Sequence, residues 1–220
     1  GKTTLVNLIP RFFDPQTGGV CIDGQDIRTV QVKSLREQVG LVPQDTLLFG
    51  GTVRENIRYG CLNASDVQIE EAAKLAGAHE FITHLEKGYD QEVGEGGNLL
   101  SVGQKQLISL ARAVLARPEI FIMDEATSSV DTLTEALIQK GMEALMQGRT
   151  SFIIAHRLST LRKADRLVVM DRGKIVEIGN HDQLMAVEGH YFKLYMAQAR
   201  NVDTEEQLPR SPELPKTLTV

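Results

Sequence analysis

The sequence predicts an α/β protein with a largely parallel sheet, because apolar strand-like runs alternate with helix-like segments along most of its 220 residues. Two of these runs end in polar side chains: VGLV is followed by Gln44 after one proline, and IFIM is followed directly by Asp124 and Glu125. The carboxyl ends of parallel strands meet at one edge of a sheet, where such proteins bind their ligands. We therefore expect a ligand site at that edge.

The first 45 residues combine a helix with short strands. A helix is expected from TLVNLI to about Phe13, ending before Asp14-Pro15. The stretch GGVCIDGQDI predicts a short strand between the turn pairs Gly18-Gly19 and Asp23-Gly24. The stretch VGLVPQD predicts a buried strand with Gln44 just past its end.

Longer helices and strands are expected in the remainder of the chain. Residues from roughly 52 to 85 predict a helical lobe with Ser65 or Asp66 as an N-cap, and a strong helix is expected from about Val102 to Ala116. A strand, a helix, a strand and a strand pair follow, in EIFIMD, TLTEALIQKGMEALM, RTSFIIAH and DRLVVMDRGKIVEIG. From about Asn201 the polar, proline-bearing composition predicts a disordered tail.

Composition narrows the functional classes. With 42% hydrophobic and 24% charged residues the chain is typical of globular proteins, and it is long enough for one core or two small lobes. A net charge of -5 argues against duplex nucleic acid as the main partner, since that binding needs a concentrated basic surface. Cys21 and Cys61 lack metal-ligand spacing and predict free thiols in a reducing compartment. No run approaches the 18 or so apolar residues that cross a bilayer.

The opening triplet and the acids after IFIM point to phosphate chemistry. Gly1, Lys2 and Thr3 match the last three positions of the phosphate-binding loop G-x-x-x-x-G-K-[ST], although a triplet alone is equally an ordinary helix start. In nucleoside triphosphatases with this loop, an aspartate at a strand end holds Mg²⁺ beside the loop hydroxyl, which assigns Thr3 and Asp124 to the metal. Glu125 is then placed to orient or deprotonate the attacking water. The alternative is that both acids cap the following helix.

A second candidate lies in NLLSVGQKQLISLARAVLARP. Ser101 and Gly103 stand at the start of a long helix, where backbone N–H groups and the positive end of the helix dipole can face an anion such as a terminal phosphate. Ser101 as a structural N-cap explains the same pattern equally well. Both interpretations stay open at the level of the sequence.

In this order, the pieces resemble the nucleotide-binding domain of ABC transporters, over residues 1 to about 198. The family's motifs are matched as follows: the signature LSGGQ by Leu100-Ser101-Val102-Gly103-Gln104, Walker B with its glutamate by IFIMDE, the D-loop by SSVD ending at Asp131, the Q-loop by Gln44, and the switch histidine by His156. LFGGTVRENIRYG and EVGEGG are similar to segments of multidrug- or lipid-type exporters. The resemblance implies a P-loop NTPase fold with a RecA-like parallel core and a helical signature subdomain, its N-terminal strands missing here.

The resemblance also implies ligands, roles and partners. It implies ATP contacts at Gly1, Lys2, Thr3, Thr4, Gln44, Ser101, Gly103, Gln104 and Asp131, and Mg²⁺ contacts at Thr3, Gln44 and Asp124. It gives catalytic roles to Glu125 and His156. The implied partners are a second such domain, identical or different, in a head-to-tail dimer, and the exporter's transmembrane domains, at the cytoplasmic face of the cell membrane. Val102 departs from the family's usual glycine, and a β-branched residue weakens closure if a glycine conformation is needed there.

Four segments follow from the same resemblance: a partial ATP-binding core (1–50), a helical subdomain ending in the signature helix (51–116), a core with Walker B, D-loop and switch histidine (117–200), and a disordered tail (201–220). Complete domains carry strands, an adenine-stacking aromatic residue and the first P-loop glycines before the GKT triplet. We therefore expect this chain to be a fragment. Two alternatives remain: a truncated, non-catalytic copy that only pairs with a partner, and a soluble ABC-type ATPase acting on nucleic acid or ribosomes.

Overall fold

The computed structural model describes residues 1–124, 130–155 and 158–206. The helices are α1 (Lys2–Val6), α2 (Val32–Glu37), α3 (Val53–Arg58), α4 (Asp66–Leu75), α5 (His79–Thr83), α6 (Val102–Ala116), α7 (Thr132–Met146), α8 (Leu158–Lys163), α9 (His181–Val187) and α10 (His190–Glu206). The strands are β1 (Cys21–Ile22), β2 (Gln25–Asp26), β3 (Val39–Val42), β4 (Ile120–Asp124), β5 (Thr150–Ile154), β6 (Leu167–Asp171) and β7 (Lys174–Gly179).

The described residues fall into two compact units that divide between residues 156 and 157. This division lies inside the segment 117–200, which the sequence analysis treated as one core. Cys21 and Cys61 are both exposed and unpaired, as predicted. No helix within the described ranges is both long and apolar enough to cross a membrane.

A three-stranded parallel sheet organises the first unit, in the order β3-β4-β5. Val42 lies opposite Met123, and Asp124 lies opposite Ile154, so the carboxyl ends of the three strands share one edge. The central strand β4 is buried along its whole length, as its unbroken apolar sequence requires. The parallel arrangement confirms the prediction from the alternating pattern.

The core of this unit lies between the sheet and the longer helices. Helix α6 packs against α3, α4, α7 and strand β3. Its side chains Leu107 and Ile108 are fully buried with Phe121 of β4 and Met142 of α7. Burial of each such side chain contributes roughly 1.5–3 kcal/mol, so α6 is held in place by packing on several sides.

The boundaries of the helical lobe and of α6 agree with the sequence. Helix α4 begins after Ser65, whose hydroxyl accepts from the backbone of Gln68, so Ser65 rather than Asp66 is the N-cap. Helix α6 begins after Ser101 and ends before Arg117, which adopts a left-handed conformation with φ of 48°. Side-chain capping at the start and a conformational break at the end fix these limits.

Three expectations from the sequence are wrong at their edges. The first helix ends at Val6 instead of near Phe13, and irregular turns follow because Pro10 has no backbone N–H to continue a helix. The single strand expected in GGVCIDGQDI is a hairpin, because Asp23 and Gly24 both take positive φ and reverse the chain between β1 and β2. The last helix continues to Glu206, so residues 201–206 are helical where disorder was expected; residues 207–220 lie outside the described ranges.

The second unit contains the antiparallel pair β6–β7 with helices α8, α9 and α10. Its small core consists of Leu167, Val169, Leu184, Tyr191 and Tyr195. The carboxylate of Glu177 in β7 accepts hydrogen bonds from the backbone N–H groups of His190 and Tyr191 at the start of α10. These bonds lower the pKa of Glu177 below its ordinary value of 4.5, and they tie the last helix to the strand pair.

Candidate functional site

A hydroxyl and a carboxylate from distant parts of the sequence meet at the carboxyl edge of the sheet. The Thr3 hydroxyl donates a 3.0 Å hydrogen bond to Oδ2 of Asp124, 121 residues away. Asp124 is the last residue of β4 and is only 8% exposed, whereas Thr3 lies in the first turn of α1, which contacts β5. Sequence analysis placed both residues at a metal site, and the structure brings them into direct contact.

A cavity of about 370 Å³ adjoins this pair. Its polar lining includes Thr3, Asp124 and Gln44, the three residues expected at Mg²⁺. Its apolar wall consists of side chains from α1, the turn after it, and strands β3 and β4: Val6, Phe12, Leu41 and Ile122. Gln44 enters the cavity because it follows the end of β3 by two residues, as its sequence position predicted.

The donor atoms in the cavity fit a magnesium ion. Mg²⁺ prefers oxygen ligands and commonly binds through one or two carboxylates together with waters and substrate phosphates. The Asp124 carboxylate, the Thr3 hydroxyl and the Gln44 amide supply such oxygens. Among the described residues, no group of three or more His, Cys, Asp or Glu side chains could hold a metal by itself. A metal at this edge would therefore need the Thr3 hydroxyl, the Gln44 amide and a bound phosphate in addition to the Asp124 carboxylate.

The remaining residues of the opening motif lie on the short helix α1. Gly1 is its N-cap, and its carbonyl accepts a 3.0 Å hydrogen bond from the Leu5 amide. Lys2 and Thr4 are exposed on this helix, and neither is part of the described cavity lining. Both predicted ATP contacts thus stand next to Thr3 with their side chains open to solvent.

A second group of predicted site residues stands at the start of α6. The Ser101 hydroxyl accepts from the Gln104 amide at 3.2 Å, and the Gln104 side chain accepts from the Ser101 amide at 3.0 Å. This capping box confirms the structural interpretation of Ser101. Val102 is the first residue of α6, is 46% exposed, and has an ordinary negative φ. The valine is therefore not strained, and this position does not need a glycine conformation.

Gly103 brings α6 close to the start of α7. A Cβ on Gly103 would lie 2.5 Å from Cγ2 of Thr134 and 3.0 Å from Cγ1 of Val130, closer than side chains pack. Asp131 caps α7 by accepting a 3.0 Å hydrogen bond from the Thr134 amide, and this bond lowers the pKa of Asp131. Thr134 thus contacts both the signature helix and the D-loop aspartate. Sequence analysis missed this threonine, because only the packing of the two helices reveals it.

The structure therefore contains two separate groups of candidate residues. Thr3, Gln44 and Asp124 line the cavity, while the described lining includes none of Ser101, Gly103, Gln104 and Asp131. The predicted catalytic residues Glu125 and His156 lie outside the described residues.

A family model described as ABC transporter matches residues 1–128. The chain belongs to the ABC transporter family. The match covers more than half of the chain and includes the cavity residues and the signature helix, so the resemblance carried by the motifs is confirmed. The parallel sheet and the helical lobe are those of the ABC ATPase fold, as predicted.

Relatives within the family include exporter proteins. The ATP-dependent lipid A-core flippase of Syntrophus aciditrophicus is 53% identical over 211 residues, which cover 96% of this chain and 35% of the flippase. The ABC transporter ATP-binding protein YfiC of Bacillus subtilis is 54% identical over 198 residues, 90% of this chain and 33% of that protein. The chain thus spans about a third of the length of these relatives.

Among solved structures, this chain is similar to a bacterial Atm1-family ABC exporter with ATP bound. The TM-score is 0.85 at 45% sequence identity, and the alignment covers 90% of this chain and 35% of the exporter chain. At this identity the likeness extends beyond the fold to the sequence.

Proposed function

We propose that this chain is the ATP-binding and ATP-hydrolysing domain of an ABC exporter and that it powers substrate export across a membrane. The observation that carries this proposal is the 3.0 Å hydrogen bond between the Thr3 hydroxyl and the Asp124 carboxylate, at a cavity that also receives Gln44. A hydroxyl and an aspartate in contact at the carboxyl edge of a parallel sheet are the pair that P-loop ATPases use beside the transferred phosphoryl group.

In this proposal each residue near the cavity has one task. Thr3, Asp124 and Gln44 would hold Mg²⁺, which neutralises charge on the phosphates when it is bound. Lys2, with its solvent-open ammonium, and the amides of α1 bind the phosphate oxygens. Glu125 would orient the attacking water and accept its proton, and His156 would complete the catalytic pair.

We further propose that the second group of residues serves the ATP bound by another copy or a related domain. Ser101 is exposed at the start of the fifteen-residue helix α6, where unpaired N–H groups and the helix dipole favour an anion. Its separation from the cavity lining is expected if two domains bind head to tail, because each ATP then meets the cavity of one domain and the signature helix of the other. Gln104 and Asp131 support that surface by capping α6 and α7.

Transmembrane domains are the proposed second partner, which places this chain at the cytoplasmic face of a membrane. The segment similar to exporter sequences, residues 48–60, is flanked by exposed apolar side chains, with Leu47 71% and Leu62 72% exposed. Phe49 and Tyr59 lie in contact between them in sequence, with ring centroids 4.7 Å apart, and both are about half exposed. The contact between Phe49 and Tyr59 groups two half-exposed apolar rings on one surface, which favours a protein contact there.

The substitution Glu125→Gln in the full-length transporter tests the proposed chemistry. We expect kcat for ATP hydrolysis to fall by roughly 10²–10⁴-fold, because glutamine cannot accept a proton, while ATP-dependent dimers are retained. The matched control is Glu119→Gln, an exposed acid just before the other end of β4, which should leave hydrolysis unchanged. Unchanged hydrolysis in Glu125→Gln would contradict the catalytic assignment.

A further inference from the structure

We infer that Arg112 is a positioning residue that, together with Asn56, joins the segment after Gln44 to the signature helix α6. The inference rests on the proposed function, because what it positions is the signature surface that closes over ATP. It concerns residues to which the motifs assign no role, and three sets of contacts support it.

The first set fixes the backbone at Phe49. Asn56 of α3 is completely buried, and its side chain accepts from the Phe49 amide at 2.9 Å and donates to the Phe49 carbonyl at 2.9 Å. The same Nδ2 also donates to the Thr52 carbonyl at 3.0 Å. One side chain thus satisfies both main-chain polar groups of Phe49, as a neighbouring strand would. The loop that leaves the cavity at Gln44 is therefore anchored to α3 five residues later.

The second set connects this anchor to α6. Arg112 donates from Nε to the Asn56 carbonyl at 2.9 Å and from Nη2 to Oδ1 of Asn56 at 3.1 Å. Its guanidinium also lies 5.5 Å from the ring centre of Phe49 and 5.9 Å from that of Tyr59. A planar guanidinium can make two directed hydrogen bonds and stack on aromatic rings at once, which the single ammonium of lysine cannot.

The third contact is a close approach of the backbones of α3 and α6. A Cβ on Gly60, just past the end of α3, would lie 2.2 Å from the Arg112 carbonyl oxygen, so the two backbones approach as closely as glycine permits. Partial burial of the Arg112 guanidinium lowers its pKa, yet it stays charged because an arginine pKa is far above neutrality. With Asn56 buried beside it, the cation is held by directed bonds to neutral oxygens.

These contacts make the loop after Gln44, helix α3 and helix α6 move as one body. Gln44 lines the cavity at one end of this path, and α6 presents Ser101 at the other. A shift of Gln44 on nucleotide binding is then passed through Phe49, Asn56 and Arg112 to the signature helix. If this joint, the contacts of Arg112 with Asn56 and Phe49, is weakened, the cavity can still bind nucleotide. The start of α6 with Ser101, however, is no longer aligned with the ATP of the other domain.

Arg112→Lys in the full-length transporter, in lipid nanodiscs, tests the inference, because lysine keeps the charge and the aliphatic stem but cannot form both bonds. We expect kcat for ATP hydrolysis to fall by about tenfold or more, with the Kd for ATP within about twofold of the wild type. ATP-dependent dimer closure, measured by spin-label distances between two copies of α6, should fall with kcat. The matched control is Arg162→Lys, since Arg162 also stacks on a tyrosine and donates to its hydroxyl, in the second unit.

If Arg112 only stabilises the fold, the kinetic measurements on Arg112→Lys will differ from those expected above. The inference is overturned if kcat of Arg112→Lys stays within about twofold of the wild type, or if kcat and ATP affinity fall in the same proportion. If Arg112→Lys does not fold, Phe49→Leu is the deciding variant, because it removes one stacking ring and leaves the backbone hydrogen bonds of residue 49. A fall of about threefold in kcat at constant Kd for ATP supports the inference, and an unchanged kcat overturns it. A different result would contradict the proposed function: the wild-type protein hydrolyses no ATP, or its hydrolysis is unchanged in Glu125→Gln.

Discussion

Replacement of Gly103 by alanine tests whether packing against α7 requires this signature glycine. The added Cβ would stand 2.5 Å from Thr134 Cγ2, whereas ordinary van der Waals contacts begin at 3.4 Å. The nearest atoms are methyl groups of the β-branched side chains of Thr134 and Val130, which have few alternative rotamers, so we expect the contact to be relieved mainly by moving α6 or the start of α7. Overpacking of this kind costs about 1–3 kcal/mol, from which a helix-propensity gain of up to about 1 kcal/mol is to be subtracted. Because 2.5 Å is a severe contact, the upper part of this range applies, about 2–3 kcal/mol, and after the subtraction we expect Gly103→Ala to destabilise the domain by about 1–2 kcal/mol.

The second-site variant Thr134→Ser makes the test specific. Serine keeps the hydroxyl and the backbone N–H that bonds Asp131, but it removes the methyl group that the new Cβ would meet first. Chemical denaturation and ATP hydrolysis of the two single variants and the double variant give a double-mutant cycle. The double variant is expected to recover most of the stability and part of the hydrolysis lost in Gly103→Ala, with Val102→Ala as the control for a neighbouring change at the helix start.

A different pattern would refute the packing argument. If Gly103 serves only to admit a phosphate, Gly103→Ala leaves the stability of the nucleotide-free protein unchanged. Thr134→Ser then fails to restore any activity, because the alanine still obstructs the phosphate. Additivity of the two substitutions in both measurements would therefore contradict a contact between α6 and α7 at this residue.

Two further predictions concern single carboxylates. Asp124→Asn should abolish the Mg²⁺ dependence of ATP binding, because the proposed metal site loses the carboxylate that lies beside the Thr3 hydroxyl. Fluorescence titration of an ATP analogue with Mg²⁺ and with EDTA checks this, and an undiminished Mg²⁺ effect contradicts it. Glu177 has a pKa below its ordinary 4.5, so its stabilisation of α10 is complete above pH 4.5 and is lost as the pH falls through the lowered pKa. Hydrogen exchange of the His190 and Tyr191 amides, corrected for intrinsic rates, should show that loss of protection in the wild type and no such pH dependence in Glu177→Gln.

Local signals in the sequence were sufficient for the elements that carry the motifs. The bounds of α6 follow from Ser101 as a cap and from Arg117-Pro118 as a stop, and both signals act within a few residues of the helix ends. The unbroken apolar run of β4 identifies a strand buried on both faces, and its polar end marks the cavity. Such signals depend only on neighbouring residues, which is why the sequence contains them.

The errors have equally local causes. Pro10 lies inside the helix expected to reach Phe13, and its missing N–H argued against that length. Asp23-Gly24 was taken as the end of one strand, although a pair with positive φ is what a two-residue hairpin needs at its centre. In both cases a residue with special backbone behaviour was given too little weight against an apolar pattern.

Contacts between distant residues lay beyond the sequence. The joint of Asn56 with Arg112 links positions 56 residues apart, and the approach of Gly103 to Thr134 depends on how α6 crosses α7. Neither residue pair has a distinctive local pattern. Thr3 and Asp124 were expected at one site only because both positions belong to motifs with a known common task, and their direct hydrogen bond was not predicted.

Mixed dimers of two inactive variants test the central claim, a composite ATP site, most directly. Lys2→Ala damages the phosphate contact of the cavity group, and Ser101→Arg damages the signature group. Co-expressed full-length transporters with two different affinity tags allow the mixed dimer to be isolated and its ATP hydrolysis measured. In a head-to-tail arrangement one site of the mixed dimer carries both lesions and the other is intact, so hydrolysis should return to about half of the wild-type rate although both homodimers are inactive. A mixed dimer as inactive as its parents would contradict the claim that the two groups of residues meet across a dimer.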